Sequence, residues 1–173
     1  MNIVLIGYRC TGKTSVGEAL ARELRRDFAD TDRLIEKKVG RSTESFIYEM
    51  GWDNFRGIER QMVDEISKKD KMVIATGGGV VMDERNIASL KENGWVVWLK
   101  AQEDILRKRM EKDNIGGNKR TPIMGSNSLE EIKKVLELRK PLYSRMGDAS
   151  IDCGTLTVAE TVDLILEQLP EGI

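Results

Sequence analysis

Histidine is missing from all 173 residues. Its absence removes the commonest general base near neutral pH and the commonest metal ligand, so acid–base chemistry falls to a carboxylate, a lysine or water. Cysteine is scarce. Cys10 and Cys153 stand far apart, at no metal or redox spacing, and read as two reduced thiols of a cytoplasmic protein. Neither sign of charge dominates: charged residues make up 33% of the chain and leave a formal net charge of -1. That balance offers no basic surface to nucleic acid or to an acidic membrane. Long apolar runs are lacking as well. The longest, such as "VVWL", are strand-sized, so no transmembrane helix is expected, and the first residues enter a strand with no signal peptide ahead of them.

What is present alternates. "NIVLIG", "DFADTD", "KMVIATGGG", "GWVVWLK" and "ASIDCG" read as five strands, the second with weaker support. Helical spacing runs from Lys13 to Arg26, with Val16, Ala19, Leu20 and Leu24 on one face. Further helices are expected over 53–69, 83–93, 102–112, 129–144 and 158–169. The last two open on Ser128 with Glu131 and on Thr157 with Glu160, the spacing of a capping box. Strands alternating with helices predict a mainly parallel sheet covered on both faces. The chain, 1–173, reads as one α/β domain with no internal repeat or linker. Residues 112–128, "KDNIGGNKRTPIMGSNS", break the pattern and read as a functional or mobile loop, or else an idle surface loop.

Residues 7–14, Gly-Tyr-Arg-Cys-Thr-Gly-Lys-Thr, fit G-x-x-x-x-G-K-[ST]. Glycine lets the loop turn tightly so that successive N–H groups converge on phosphate oxygens. Cys10, Thr11, Gly12, Lys13, Thr14 and Ser15 are the expected contacts to the phosphates of a nucleotide, ATP or GTP. Lys13 brings charge to the transferring phosphate, and the Thr14 hydroxyl suits the Mg²⁺ that comes with the nucleotide. The motif follows a buried strand and opens an amphipathic helix, whose N-terminus favours the same anion. An Asn-Lys-x-Asp guanine reader is absent; "NKRT" at 118–121 has threonine in place of the aspartate.

Three other features point to an acceptor. Asp30 and Asp32 in "FADTD" are two apart, which on a strand end puts both carboxylates on one side. One suits Mg²⁺ and the other a substrate hydroxyl; the alternative is a helix N-cap before "RLIEKKV". Gly77, Gly78 and Gly79 follow the strand "MVIAT", where ligands bind in an open parallel sheet, or form a plain turn. Arg56, Arg120 and Arg139 are suited to bidentate capture of a carboxylate or phosphate, although a lone arginine is usually a solvated surface charge.

In this order, "FADTD", "GWDNFRGIE", "TGGGVV", "GGNKRTP" and "RKPLYSRMGD", after the phosphate loop, resemble the shikimate kinase family over nearly the whole chain. The resemblance implies a three-layer α/β/α P-loop kinase fold. It has a five-stranded parallel sheet, a substrate-binding helical segment at about 31–60 and a mobile lid at about 112–124. It implies transfer of the ATP γ-phosphate to the 3-hydroxyl of shikimate, in aromatic amino acid biosynthesis. Asp32 would bind shikimate hydroxyls and take the proton. Arg56 and Arg139 would clamp the carboxylate, with Gly77, Gly78 and Gly79 in backbone contact. Lys13 and Arg120 would meet the γ-phosphate, and Thr14 and Asp30 would hold Mg²⁺. The partners implied are ATP and shikimate, with no nucleic acid or membrane, and the chain is expected to be a monomer. Departures from the family pattern are Trp52-Asp53-Asn54, which lacks a glutamate, and Thr121 between Arg120 and Pro122. Alternatives are a gluconate or nucleoside monophosphate kinase of the same architecture, and a catalytically silent nucleotide-binding protein.

Overall fold

The computed structural model describes residues 1–115 and 129–173. Five parallel strands form one sheet in the order β2-β3-β1-β4-β5. They are β1 (Asn2–Ile6), β2 (Asp27–Asp30), β3 (Met72–Ala75), β4 (Gly94–Lys100) and β5 (Ala149–Asp152). All five match the runs expected from sequence. The central strand β1 is buried along its whole length, which explains its unbroken apolar run.

Period-two alternation sends its side chains to two cores. Ile3 and Leu5 pack with Val16 and Leu20 of α1 (Lys13–Leu24). Val162 and Ile165 of α7 (Val158–Glu167) complete that layer, and Thr157 with Glu160 forms the expected capping box. Val4 and Ile6 face the opposite layer. There they meet Val63 and Ile66 of α3 (Thr43–Ser67), Leu90 of α4 (Glu84–Glu92), and Tyr143 and Met146 of α6 (Leu129–Met146). This is the three-layer α/β/α arrangement.

Two elements that periodicity alone does not predict fall in the helical segment at about 31–60 that the family resemblance implies. Helix α2 (Thr31–Val39) follows β2 directly, and α3 starts ten residues before the predicted 53–69 helix. Gly51, at φ 82° and ψ 166°, breaks α3 into two helical parts. This segment packs on a small satellite core of Ile35, Phe46, Phe55 and Met62 rather than on the sheet. Helix α5 (Glu103–Ile115) runs past the predicted 102–112 stretch. The expected Ser128 cap lies outside the described residues. Among the described residues, no helix is long and apolar enough to cross a membrane.

Candidate active site

The loop after β1 has the backbone that its motif requires. Gly12 caps α1 at φ 92°, and Cys10 also takes a positive φ of 62°. A Cβ on Gly7 would lie 2.2 Å from the Leu99 carbonyl oxygen, so a side chain there would collide with β4. Lys13 is buried, and its Nζ donates to the Gly7 and Tyr8 carbonyls at 2.9 and 2.8 Å. Cys10, Thr11, Gly12, Lys13, Thr14 and Ser15 all border a cleft of about 1030 Å³ at the carboxyl end of the sheet. That is the size of a small-molecule site.

Asp30 and Asp32 take different jobs from those that a strand end would give them. Strand β2 stops at Asp30, whose carboxylate caps α2 by accepting from the Asp32 and Arg33 N–H groups. The N-cap alternative therefore holds for Asp30. Its other oxygen accepts from the Thr14 hydroxyl at 2.7 Å, so the cap also reaches the phosphate loop. Asp32 lies in the first turn of α2 and points to the glycine triplet. A Cβ on Gly77 would sit 2.7 Å from its Oδ1. Both residues line the large cleft, as expected, but the strand spacing does not bring them there: the step crosses into α2, with one carboxylate beside Thr14 and the other beside Gly77.

A second, smaller pocket adjoins the first. Asp32, Arg56, Gly77, Gly78, Gly79 and Arg139 all line it. Arg56 is held on several sides. Its Nη1 donates to Glu59 at 2.6 Å, its guanidinium lies 5.2 Å from the Trp52 ring centroid, and a Cβ on Gly79 would be 2.4 Å from its Nη2. Glu59, 1% exposed, follows Arg56 by one helical turn. Burial pushes its carboxyl above the usual range, against the pull of Arg56 and then of Arg139. Arg139 is buried on α6, and its Nη1 donates to the Gly78 carbonyl at 3.0 Å.

Sequence reasoning passed over several neighbours. Arg9, inside the loop, borders both pockets and pairs with buried Glu131 of α6 at 3.6 Å. Arg109 of α5 borders the large cleft and donates to the carbonyls of Cys10, Cys153 and Gly154 at 3.2, 3.0 and 3.0 Å. Glu59 did have a local signal, the three-residue step from Arg56. Arg109 had none, because its partners are 44 or more residues away. Arg120, and with it most of the expected lid, lies outside the described residues.

The pattern of the shikimate kinase family matches residues 9–170. The chain belongs to the shikimate kinase family. A shikimate kinase from Syntrophus aciditrophicus is 43% identical over 96% of this chain and 90% of its own. One from Thermodesulfovibrio yellowstonii is 39% identical over 96% and 94%. The solved shikimate kinase from Acinetobacter baumannii in complex with shikimate superposes with a TM-score of 0.85. It is 30% identical, over 96% of this chain and 93% of that one. As a shikimate kinase family member, the chain is an ATP-dependent phosphotransferase, and its two adjoining pockets suit a nucleotide and a small acceptor.

Proposed function

We propose that this protein transfers the γ-phosphoryl group of ATP to the 3-hydroxyl of shikimate, giving ADP and shikimate 3-phosphate. The observation that carries the acceptor is the convergence of Arg56 and Arg139 beside Asp32 and the glycine triplet, next to the phosphate loop. Two guanidiniums suit one carboxylate, and a carboxylate suits ring hydroxyls. Family membership and the shikimate complex of the Acinetobacter relative support the same acceptor.

The assignment of roles follows the chemistry of the groups. Arg56 and Arg139 clamp the substrate carboxylate, and Gly77, Gly78 and Gly79 let the ring approach the backbone. Asp32 orients the 3-hydroxyl and takes its proton. Phosphoryl transfer has a loose transition state, so positioning and charge matter more than a strong base, and a chain without histidine suffices. The N–H groups of residues 10–15 and the Lys13 ammonium hold the phosphates. Arg120 is assigned to the γ-phosphate on the family resemblance alone. Thr14 and Asp30 offer hard oxygen donors 2.7 Å apart and fit Mg²⁺. When bound with the nucleotide, the cation offsets charge on the phosphate oxygens. Among the described residues, no three Cys, Asp or Glu side chains converge as a separate metal cage. The reading implies a cytoplasmic monomer with small-molecule partners.

ADP release by the purified protein with Mg-ATP tests the reading, run with shikimate, gluconate, AMP or no acceptor. ADP made only with shikimate, in step with phosphorylated product, is the expected result. Turnover with gluconate or AMP instead would overturn the acceptor. Nucleotide binding with no acceptor-dependent turnover would point to a silent binding protein.

A further inference from the structure

The polar groups of the glycine triplet can be followed one by one. The Gly77 N–H donates to the Thr31 hydroxyl at 3.0 Å, and the Gly77 carbonyl accepts from Val80 at 3.1 Å. The Gly79 carbonyl accepts from Met82 at 3.0 Å. The Gly78 carbonyl accepts twice, from the Tyr143 hydroxyl at 2.5 Å and from Arg139 Nη1 at 3.0 Å, which fills both lone pairs. Within the triplet, the N–H groups of Gly78 and Gly79 have no backbone acceptor among the described residues, and both glycines border the acceptor pocket. Backbone donors at a pocket wall are normally completed by protein, water or ligand.

The Tyr143 hydroxyl has one further polar neighbour, the Arg139 guanidinium that shares its acceptor. Tyr143 is fully buried, and its ring stacks on Trp98 with centroids 5.8 Å apart and planes at 24°. It sits four residues after Arg139, so one face of α6 presents both donors to the same oxygen. A glycine peptide turns over easily unless its carbonyl is held. We infer that Tyr143 is a positioning residue for the acceptor: its hydroxyl pins the Gly78 carbonyl toward α6, so that the Gly79 N–H, on the opposite side of the same planar peptide, faces the substrate and Arg139 keeps its angle. Burial pushes the phenol up to about 12, so the hydroxyl stays protonated and donating throughout the working range. This inference rests on the proposed acceptor and adds the residue that fixes its backbone contact.

The test is Tyr143→Phe, which keeps the ring against Trp98 and removes only the hydroxyl. The expected result is a KM for shikimate raised about tenfold, the effect of one lost hydrogen bond, with kcat changed less than about threefold and KM for ATP unchanged. Arg139→Lys and the double variant complete a cycle. Because both side chains donate to one carbonyl and lie beside each other, part of each effect is shared, and the double variant should raise KM by less than the product of the single effects. A lower melting temperature with an unchanged KM for shikimate would reduce Tyr143 to a packing residue and overturn the inference. Strictly multiplicative effects would overturn the shared-carbonyl mechanism. Wild-type protein in the same assay separates the two readings: an inactive wild type overturns the acceptor assignment and this inference with it, whereas an active wild type beside an indifferent Tyr143→Phe overturns this inference alone.

Discussion

The two pockets are built in opposite ways. On the proposed reading, the phosphate grip of the nucleotide side comes from one consecutive run: residues 10–15 border the large cleft, and the loop's shape comes from Gly7, Cys10 and Gly12 at positive φ. The acceptor side is made of side chains from separate elements: Asp32 on α2, Arg56 and Glu59 on α3, the triplet after β3, and Arg139 on α6. A contiguous backbone cradle grips a phosphate whatever carries it. A constellation drawn from four elements fits one acceptor, because each charge must be brought to its place by tertiary packing. Binding a nucleotide is therefore local to the chain, and choosing an acceptor is a property of the fold.

Breaking one side should spare the other, and the largest separation is expected at Asp32. Asp32→Asn keeps the shape and removes the proton acceptor, so kcat should fall by about 10²–10⁴, the usual range for one acid–base group. Mg-ATP affinity, measured by calorimetric titration, should stay within a factor of about two of wild type. A parallel collapse of nucleotide affinity would show that the pockets do not act separately. Arg139→Ala comes next. Losing one side of a buried carboxylate pair costs on the order of 2–5 kcal/mol, so the KM for shikimate should rise at least tenfold with little change for ATP. An unchanged KM would remove Arg139 from the acceptor site.

Gly79→Ala tests the constellation more gently. The added Cβ would meet Arg56 Nη2 at 2.4 Å, but that atom ends a flexible side chain and can move. The guanidinium should be pushed off its carboxylate-facing position, raising the KM for shikimate about fivefold, near the low end of overpacking costs. Because the sheet core is untouched, thermal stability should hardly change. A large loss of stability with normal substrate affinity would mean that the triplet shapes the β3 turn rather than the pocket.

The same contrast explains what could be read from the chain. Eight adjacent residues after a buried strand carry the phosphate-loop pattern, and the chain has the tight turn there that the pattern requires, because that geometry is local. The sheet was legible too, since strands buried on both faces leave unbroken apolar runs. On the acceptor side, the residues Asp32, Arg56 and Arg139 stood out by their flanking motifs, yet the stated reason for the Asp30–Asp32 pair was wrong. Strand geometry does not apply to a step that crosses from β2 into the first turn of α2; both carboxylates still reach the large cleft, at different neighbours. Helix α2 and the start of α3 are implied by the family resemblance, as a helical segment at about 31–60, and not by apolar periodicity, because Ile35 and Phe46 serve a small satellite core and leave a weaker stripe than helices packed on the sheet. Arg9 and Arg109 could not be assigned from sequence, since what defines them is distant partners rather than neighbours.

The smallest effect, and the sharpest probe of how the acceptor side is held, is expected at Glu59. Its carboxyl is buried and pushed above the usual value of 4.5, chiefly by loss of solvent and despite Arg56 and Arg139. Between the unfolded and folded values the native protein binds more protons than the unfolded chain. Glu59 therefore contributes stability that is full below the unfolded value and is lost as pH rises through the raised folded one. Glu59→Gln does not titrate. The melting temperature of the variant minus that of wild type should thus increase from about pH 4 to about pH 7. The same variant should raise the KM for shikimate only about two- to threefold, since Arg56 keeps its stack on Trp52 and loses one bond. The opposite pH trend would mean that the guanidiniums outweigh burial and hold Glu59 ionised. Arg56 would then be fixed by a full ion pair, and Glu59→Gln should cost the acceptor side far more than a factor of three.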